Sequence, residues 1–431
     1  MGSAVEPVLY RIPYGKGAIT FTLPPGRQAD VLAPADVPPV SDPRRAVSDA
    51  LAAPVGGVSL AAFATARSVA IAINDKTRPV PHDALLPPLL AALEALGIQR
   101  DAITLIIAAG AHPPMTRAEF GQVVPQAILE AYRVVCHDCD AQDALVDCGV
   151  TPRGTPVWIN RRFAEADLRI VVGNIEPHQF QGYSGGVKSA AIGLAGRETI
   201  NRNHALMTAP GAELGCYEGN PAREDVEAIG RLAGVQFALN AVLNRHKQIV
   251  AVVAGAPQAV MQAGIPLAEE VCTVPVDAPF DLVVASPGGH PKDLNLYQAQ
   301  KALAHAALVT RPGGMVILAA ACPEGAGSRS FERWVQAQPM QSPQEVIDRF
   351  VAEGFRVGPH KAYQIARDAA RVRVRMVSEL PPTLVRQMVL TPVESLQDAV
   401  DAALSELPAD ARIGIMPAAN ATVPRLRTRQ V

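Results

Sequence analysis

The sequence is poor in several features that mark particular classes of protein. Aromatic residues make up 4% of the 431 residues, so the core must be built mainly from Ala, Val, Leu and Ile. Six cysteines in a chain of this length do not form the disulfide framework of a small secreted domain. Apolar runs stay shorter than the 18 or so residues that a membrane helix needs, which predicts no membrane association.

Neither sign of charge dominates the chain. Lys and Arg number 39 against 41 for Asp and Glu, a formal net charge of −2, which argues against a nucleic-acid binder that relies on a basic face. The segment Met1 to Pro7 lacks the charged-then-apolar pattern of a signal peptide. We therefore expect a cytoplasmic protein with no nucleic-acid partner.

Short β-branched runs alternate with Ala/Leu-rich helical windows along most of the chain. Several runs are almost continuously apolar, which is typical of strands covered on both faces. The predicted strands are 68–73, 102–108, 168–172, 249–253, 281–285, 314–319, 372–377 and 412–416. The predicted helices are 85–96, 222–233, 297–307, 343–352, 361–370 and 393–404. This alternation predicts an α/β protein with largely parallel sheets flanked by helices.

A cluster of prolines over residues 256–280 indicates a boundary between two domains. We expect an N-terminal α/β domain of residues 1–265 and a C-terminal α/β domain of residues 276–431, with the active site in the cleft between them. The Pro/Ala/Gly-rich first 65 residues have no clear periodicity and are assigned no element.

Ligands of open α/β sheets bind beyond the carboxyl ends of the strands, so the segments directly after predicted strands are the candidate sites. In the first, Asn74–Pro79, Arg78 can grip a carboxylate with two parallel hydrogen bonds; a polar turn ended by Pro79 is the alternative. In the second, Gly110–His112, His112 is a candidate acid/base, or else a surface or helix-capping histidine.

The third segment, Gly173–Ser189, is the densest and contains a glycine-rich loop before Lys188. A Walker A loop needs Gly, four residues, then Gly-Lys-Ser/Thr, and from Gly182 the second Gly falls on Val187. This spacing counts against an ATPase or kinase, although a phosphate can still approach the backbone at glycines closely. His178, Lys188 and His204 lie within 27 residues and form a candidate cluster.

The fourth segment, Pro287–Lys301, places Tyr297 and Lys301 on one face of a helix, with Gln298 beside them. The alternative is an ordinary amphipathic helix start. Elsewhere, Cys136-His137-Asp138-Cys139 with Cys148 resembles a metal site. A zinc enzyme is disfavoured because a second paired motif is missing, and buried cysteines at a strand end are the better interpretation.

Together these segments resemble the lactate racemase family, and the run Pro177–Lys188 is the most specific of them. The resemblance covers roughly residues 65–420 in one order. It continues in Gly154–Arg162, Gly219–Pro221, Cys322–Gly325 and His360–Tyr363.

The resemblance implies a covalently bound nickel-pincer nucleotide, a pyridinium-3-thioamide-5-thiocarboxylic acid mononucleotide that carries nickel. The tether would be Lys188 and the metal ligand His204, while His112 and His178 would flank the substrate. Residues that would contact the cofactor are Asp75, Thr77, Arg78, Ser184, Gly185 and Gly186. Residues that would contact the substrate are Arg78, Tyr297, Gln298 and Lys301, and the division of Arg78, Gln298 and Lys301 between substrate and cofactor phosphate stays open.

The resemblance further implies an isomerase, a racemase or epimerase of a small, lactate-like 2-hydroxy acid that works by reversible hydride transfer to the tethered cofactor. Two histidines are needed because each face of the planar keto acid requires its own acid/base. The enzymes that assemble the cofactor would be transient partners. Which hydroxy acid is the substrate, and the oligomeric state, stay open.

The chain departs from the family pattern at Gln181, where a small residue is usual, and at Ile192-Gly193, which replaces a common Pro-Gly. His290 stands where many lactate racemases carry tyrosine, which puts the lactate assignment in question. The alternative function is a non-catalytic relative that binds an organic acid, or a phosphate or nucleotide in the glycine-rich loop.

Overall fold

The computed structural model describes residues 7–427 and divides into two compact units. The central unit is Asp36–Val271. The terminal unit combines the described residues up to Ala35 with those from Cys272 onward.

The strands are named here in chain order. They are β1 (Val8–Tyr14), β2 (Gly17–Leu23), β3 (Ala29–Val31), β4 (Val69–Asn74), β5 (Ile103–Ala108), β6 (Arg133–Cys136), β7 (Leu145–Val150), β8 (Pro156–Asn160), β9 (Leu168–Asn174), β10 (Pro177–His178), β11 (Gly182–Tyr183), β12 (Phe237–Leu243), β13 (Ile249–Gly255), β14 (Thr273–Val276), β15 (Phe280–Ala285), β16 (Thr310–Ala319), β17 (Arg373–Val377), β18 (Thr391–Val393), β19 (Ile413–Met416) and β20 (Val423–Leu426).

The α-helices are named in the same way. They are α1 (Pro43–Ala52), α2 (His82–Ala95), α3 (Gln126–Ala131), α4 (Arg161–Ala164), α5 (Lys188–Ala191), α6 (Arg197–Ala205), α7 (Pro221–Leu232), α8 (Pro257–Cys272), α9 (Leu296–Val309), α10 (Arg329–Ala337), α11 (Pro343–Glu353), α12 (His360–Ala369), α13 (Pro382–Gln387) and α14 (Leu396–Glu406).

The central unit is built on a six-stranded sheet in the order β13-β12-β9-β4-β5-β6. All neighbouring pairs are parallel except β12 and β13, which are antiparallel. The chain runs outward from β4 through β5 to β6 and then returns to place β9 on the other side of β4. The order therefore reverses between β4 and β9, where open α/β sheets form a crevice.

Both faces of this sheet are covered. Successive side chains of a strand point to opposite faces, so one strand contributes to two buried clusters. On one face Ile71 and Ile73 of β4 belong to a buried cluster that includes Leu85 and Leu89 of α2. On the other face Ala72 belongs to a second buried cluster, which contains residues of α5, α7 and α8. Coverage of both faces explains why β4, β5 and β9 are nearly continuous apolar runs.

The terminal unit contains a second six-stranded sheet, all parallel, in the order β18-β17-β16-β15-β19-β3. Its strand order reverses between β15 and β19, and α9 follows the loop that leaves β15. Two-stranded sheets of β1 with β2 and of β14 with β20 complete this unit.

The first described residues differ from the expectation of a continuous domain over 1–265. Strand β3 pairs with β19, and Ile12, Phe21 and Leu23 of the β1–β2 hairpin pack in one cluster with Leu282 of β15. Residues up to Ala35 therefore belong with the terminal unit. The pairing of β3 with β19 joins residues nearly 400 positions apart, which local patterns do not reveal.

The predicted α/β class is confirmed, and each of the eight predicted strands and six predicted helices corresponds to an element of the structure. The proline-rich segment 256–280 is mostly helix α8. Pro257 is its first residue, where the missing N–H costs nothing, and Pro266 lies inside it. Across residues 7–427, none of the helices has the length and apolar character required to span a bilayer.

Candidate active site

Three of the four candidate segments leave neighbouring strands of the central sheet. Asp75 follows β4, His112 follows β5, and the glycine-rich loop follows β9. Because β9, β4 and β5 are adjacent and parallel, their carboxyl ends meet at one edge of the sheet, beside the point where the strand order reverses.

A buried carboxylate orients His112. Asp75 is 3% exposed, and its Oδ2 lies 2.8 Å from Nδ1 of His112. The Thr77 hydroxyl donates to Oδ1 of the same carboxylate over 2.8 Å and lies 3.2 Å from Nδ1 of His112. The imidazole side chain itself is 45% exposed. The arrangement is a carboxylate–histidine dyad joined through Nδ1 of the ring.

Burial alone raises the pKa of Asp75, but the hydrogen bond and charge of His112, the Thr77 hydroxyl and the charge of Arg78 outweigh it. The pKa of this carboxyl therefore lies below its usual range, and Asp75 is an anion at neutral pH. Arg78 is exposed, and its guanidinium donates to the Thr77 carbonyl over 3.4 Å.

The loop that carries His112 depends on a close backbone approach. Gly110 adopts a φ of 55° and donates from its N–H to the carbonyl of Gly193 over 2.9 Å. A Cβ at Gly193 would lie 2.4 Å from the Ser189 carbonyl and 2.6 Å from Cβ of Ala108. A side chain at position 193 would therefore clash. This explains why glycine stands here although Ile192 replaces the usual proline before it.

The glycine-rich loop folds back on the end of β9. The hydroxyl of Ser184 donates to the carbonyl of Asn174 over 3.0 Å, and the N–H of Ser184 donates to the carbonyl of Glu176 over 2.8 Å. Gly185 and Gly186 follow with φ of 86° and 57°. The Ser184 side chain, a predicted cofactor contact, thus holds the loop in this conformation.

Two buried side chains from other elements fix Gly185 and Gly186. The amide oxygen of Asn240, inside β12, accepts from the N–H of Gly186 over 2.7 Å. The guanidinium of Arg223 on α7, 1% exposed, donates to the carbonyls of Tyr183 and Gly185 over 2.9 and 3.2 Å and pairs with Glu227. Lys188 follows as the first residue of α5, with a half-buried side chain.

His178 and His204 both pack against Phe180. The ring of Phe180 is 4.9 Å from that of His178 and 5.1 Å from that of His204, each edge to face. The backbone N–H of Gln181 lies 3.3 Å from Nδ1 of His178 and donates to it. Both imidazoles are half-buried, so each keeps an accessible edge.

A buried polar network links the His178 hairpin (β10 and β11) to the helix that carries His204. The side chain of Gln181 donates to Asn203 over 2.7 Å, and Asn203 donates to Asp225 over 3.0 Å. Asp225 also accepts from the hydroxyls of Thr151 and Thr155 over 2.6 and 3.0 Å. Gln181 and Asn203 are fully buried, and Asn203 directly precedes His204 on α6. The glutamine at position 181, where a small residue is usual, therefore anchors this helix.

Asn220 braces the same hairpin from the start of α7. Its side-chain oxygen caps the helix by accepting from the N–H groups of Ala222 and Arg223. Its side-chain NH2 donates to the carbonyls of Phe180 and Cys216, both over 3.0 Å. This buried residue therefore joins a helix N-terminus to the segment that carries His178.

In the terminal unit, α9 begins just beyond the loop after β15. Asn295 caps the helix by accepting from the N–H of Gln298, and Lys301 donates to the side-chain oxygen of Gln298 over 2.8 Å. The ring of Tyr297 packs edge to face on His360 at 5.8 Å. His290 is exposed, and its backbone N–H donates to the Gly15 carbonyl.

The Cys136–Cys148 segment carries structural contacts. Both ring nitrogens of His137 are engaged, Nε2 with the Ala195 carbonyl at 2.9 Å and Nδ1 with Asn160 at 3.2 Å. Burial lowers the pKa of His137 and raises the pKa of Cys136 and Cys139. Ligand atoms of Asp138, Cys139 and Asp140 lie within 4.8 Å of one another, but Asp140 forms a two-point ion pair with Arg197. Cys139 is buried, whereas Cys136 and Cys148 are half-buried.

Sequence reasoning missed the supports behind the site. Asn240 could have been noticed in the sequence, because it interrupts an otherwise apolar strand and asparagine is uncommon in strands. Asn220 before Pro221 is also a readable helix start. Arg223, Asn203 and Asp225 gave none, since polar residues on a helix normally indicate a solvated face.

Comparison with known proteins agrees with this architecture. The chain matches the lactate racemase N-terminal domain over residues 14–215 and the lactate racemase C-terminal domain over residues 276–423. It is 31% identical over 415 residues to a lactate racemase of Thermoanaerobacterium thermosaccharolyticum, covering 94% of this chain and 96% of that protein. It is 30% identical over 380 residues to a lactate racemase of Lactiplantibacillus plantarum, covering 86% and 88%.

Solved structures give the same result. The lactate racemase apoprotein of T. thermosaccharolyticum superposes with a TM-score of 0.89 at 30% identity, covering 97% of this chain and all of that one. A Thermotoga maritima protein superposes with a TM-score of 0.66 at 16% identity over 92% of this chain, which shows a shared fold.

The fold and the matches over both units define an α/β enzyme of the isomerase class, a racemase. The chain belongs to the lactate racemase family.

Proposed function

We propose that this enzyme racemises or epimerises a small 2-hydroxy acid with the help of a nickel-pincer nucleotide. The observation that carries the proposal is the Asp75–His112 dyad at the switch point of the central sheet, in a chain that also presents His178, Lys188 and His204 on the adjacent loop and helix. The family membership supports the same reaction class.

The donor set is suited to such a cofactor. Lys188 offers a primary amine for a covalent link, and His204 offers an imidazole, a good nickel ligand. Both side chains are half-buried, so they are neither enclosed in the core nor fully solvated. Lys188 would hold the organic part and His204 the metal. The chemistry that this group supplies when bound is the reversible uptake of the α-hydrogen as hydride.

His112 is suited to remove the hydroxyl proton of the substrate. With Nδ1 donating its proton to the Asp75 carboxylate, the neutral imidazole carries a lone pair on Nε2. The same carboxylate stabilises the imidazolium that forms when Nε2 takes a proton. His112 is therefore the base for one enantiomer and holds the proton at Nε2 until it returns.

The contacts of His178 favour the opposite tautomer. Its Nδ1 accepts from the Gln181 N–H, so the proton of the neutral ring resides on Nε2. Nε2 is thus a hydrogen-bond donor toward a carbonyl oxygen, whereas Nε2 of His112 is an acceptor. Opposite tautomers suit a reaction in which one histidine takes the hydroxyl proton of the substrate and the other histidine returns a proton to the same oxygen on the opposite face.

Cationic and amide groups are available for the carboxylate that must stay fixed while the α-carbon inverts. Arg78 lies three residues beyond Asp75, and Lys301 and Gln298 are hydrogen-bonded to each other on α9. Arg78 and Lys301 are the candidate cations for the substrate carboxylate in this proposal, since a guanidinium and an ammonium each form charge-assisted hydrogen bonds with a carboxylate.

Intact-protein mass and nickel content test the proposal on full-length protein produced together with the cofactor-synthesis enzymes. We expect a nucleotide-sized adduct on Lys188 and nickel near one equivalent, followed by loss of optical purity of an enantiopure 2-hydroxy acid. Lys188→Ala should abolish the adduct, while His204→Ala should keep the adduct and lose the metal. His112→Ala and His178→Ala should keep both and lose racemisation.

Lys16→Ala, an exposed lysine of the β1–β2 turn, serves as the matched control and should load fully. An unmodified, nickel-free protein would contradict the proposal, provided that the L. plantarum relative loads in the same cells. That outcome would favour an organic-acid-binding relative.

A further inference from the structure

Helix α12 carries a buried lysine that the proposed reaction does not use. Lys361 is 5% exposed and stands at the second position of the helix. Its Nζ lies 2.8 Å from the side-chain oxygen of Gln364 and 4.8 Å from the centre of the Tyr297 ring. Burial of an ammonium is costly unless oxygen atoms or an opposite charge surround it, so the polar groups that lie beside Lys361 set that cost.

A second buried donor lies beside it. Gln364 is fully buried, and since its oxygen faces Lys361, its NH2 points elsewhere. Within residues 7–427 this NH2 has no hydrogen-bond partner. Lys361 and Gln364 are three residues apart and share a face of α12. One charged and one neutral donor, both desolvated, are the groups that bind an oxyanion.

The surroundings place this pair next to the proposed substrate residues. Tyr297 is contacted by both Lys361 and His360, and Lys301 lies one turn further along α9 on the same face as Tyr297. The first N–H groups of α9 are already taken by the Gly325 and Ala326 carbonyls and by Asn295. A ligand here would therefore meet side chains, with the positive ends of both helix dipoles adding to the field.

His360 keeps this region rigid. Its Nδ1 accepts from the Gly358 N–H over 3.1 Å, and its ring packs on Tyr297 and on Phe355. Rigid positioning of the donors before a ligand arrives lowers the cost of binding.

We propose that Lys361 and Gln364 form a second anion site, distinct from the carboxylate grip of Lys301, that takes an oxyanion at the far end of a ligand. Carboxylate and phosphate share this chemistry. A carboxylate would make the ligand a 2-hydroxy dicarboxylic acid, and a phosphate would make it a phosphate monoester such as a mononucleotide. The substrate class named here rests on the proposed function. Ligand binding by Lys361 and Gln364 can nevertheless be measured without turnover.

Isothermal titration calorimetry on the cofactor-free full-length chain tests it, so that its result does not depend on cofactor loading or racemisation. The probes are 2-hydroxybutanedioate, lactate, nicotinic acid mononucleotide and inorganic phosphate. We compare Lys361→Met, which keeps the length of the side chain, with the wild type. The control Lys16→Met removes an exposed positive charge from the same unit.

We expect Lys361→Met to weaken one dianionic class about tenfold or more, the effect of losing a charged hydrogen bond, and to leave lactate binding unchanged. A loss confined to 2-hydroxybutanedioate assigns the site to a dicarboxylic acid, and a loss confined to the mononucleotide and phosphate assigns it to a phosphate group. Gln364→Leu should weaken the same class if Lys361→Met fails to fold.

Three results would overturn the proposal. One is unchanged affinity for every probe in a folded Lys361→Met protein, and another is a wild type that binds none of them. The third is an equal loss for lactate and 2-hydroxybutanedioate, which would mean that Lys361 only supports Tyr297. The proposed function fails separately, through an unloaded or inactive enzyme, whatever the calorimetry gives.

Discussion

Oδ2 of Asp75 and Nδ1 of His112 lie 2.8 Å apart although α2 and β5 separate the two residues in the chain. The Asp75 carboxylate is buried and the His112 imidazole is exposed, so the carboxylate is held in place while the ring stays accessible. This division of burial is what an acid/base histidine requires, because its ring must hold one tautomer while Nε2 reaches a substrate.

Asp75→Asn should remove the negative partner of the dyad while keeping its shape. An amide can present NH2 to Nδ1 and so favour the wrong tautomer, and it cannot stabilise the imidazolium. We expect kcat for racemisation to fall about 10²-fold or more, with KM and nickel content little changed. The measurement is steady-state racemisation by loaded enzyme. A fall confined to KM would show that Asp75 binds substrate instead of orienting His112.

The two proposed acid/base histidines should occupy opposite tautomers. In cofactor-free protein labelled with ¹⁵N-histidine, we expect His112 to carry its proton on Nδ1 and His178 on Nε2, as their partners Asp75 and Gln181 dictate. His112→Gln and His178→Gln assign the signals. The same tautomer at both positions would contradict the division of roles between base and acid.

Asn203→Ala should loosen the helix that carries His204. The substitution leaves the Gln181 NH2 without its acceptor and removes one donor to the Asp225 carboxylate, both in the buried interior. We expect the free energy of unfolding to fall by about 2 kcal/mol and nickel per adduct to drop in loaded protein. Urea unfolding and metal analysis measure the two effects. Arg202→Ala, an exposed neighbour on α6, should change neither.

The sequence was informative about candidate residues that follow a strand. Asp75, His112 and Lys188 each come after an apolar strand, and adjacent parallel strands bring their ends together, so these residues could be found without coordinates. Strands with both faces covered were equally visible as apolar runs.

Features that the sequence could not reveal depend on distant packing. Asn203 and Asp225 look like solvated helix residues until the helices pack, and burial of Lys361 follows from contacts with another helix. Strand β3 has three residues and pairs with β19 near the other end of the chain. Neither burial of a polar residue nor a long-range pairing leaves a periodic pattern.

His82 should make the central unit sensitive to acid. Burial lowers the pKa of His82 to about 4, while an unfolded histidine titrates near pH 6.5. Between these values the unfolded chain takes up a proton that the native ring refuses, so stability falls as pH drops from about 6.5 to about 4 and then levels off.

The loss that His82 causes should reach about 3 kcal/mol at pH 4. Glutamine at position 82 cannot titrate. The difference in free energy of unfolding between His82→Gln and the wild type at pH 7 should therefore shrink by about 3 kcal/mol at pH 4. Urea unfolding at several pH values measures the difference. Parallel pH profiles for His82→Gln and the wild type would contradict the assignment.

Gly182 and Gly219 separate the cost of a left-handed backbone from the cost of a clash. Their φ values are 68° and 71°, but a Cβ at Gly182 would lie 1.9 Å from the Cys216 carbonyl oxygen, whereas a Cβ at Gly219 would meet open space. Gly219→Ala should therefore cost about 1 kcal/mol, and Gly182→Ala about 3 kcal/mol or more, because the segment at Cys216 must move.

Since Gly182 pairs with His178 across the hairpin, Gly182→Ala should also shift the amide signals of that hairpin, while Gly219→Ala leaves them in place. Urea unfolding and amide spectra of the two variants measure these effects. Equal losses of stability would mean that the segment at Cys216 yields freely. The close approach would then not be what positions His178.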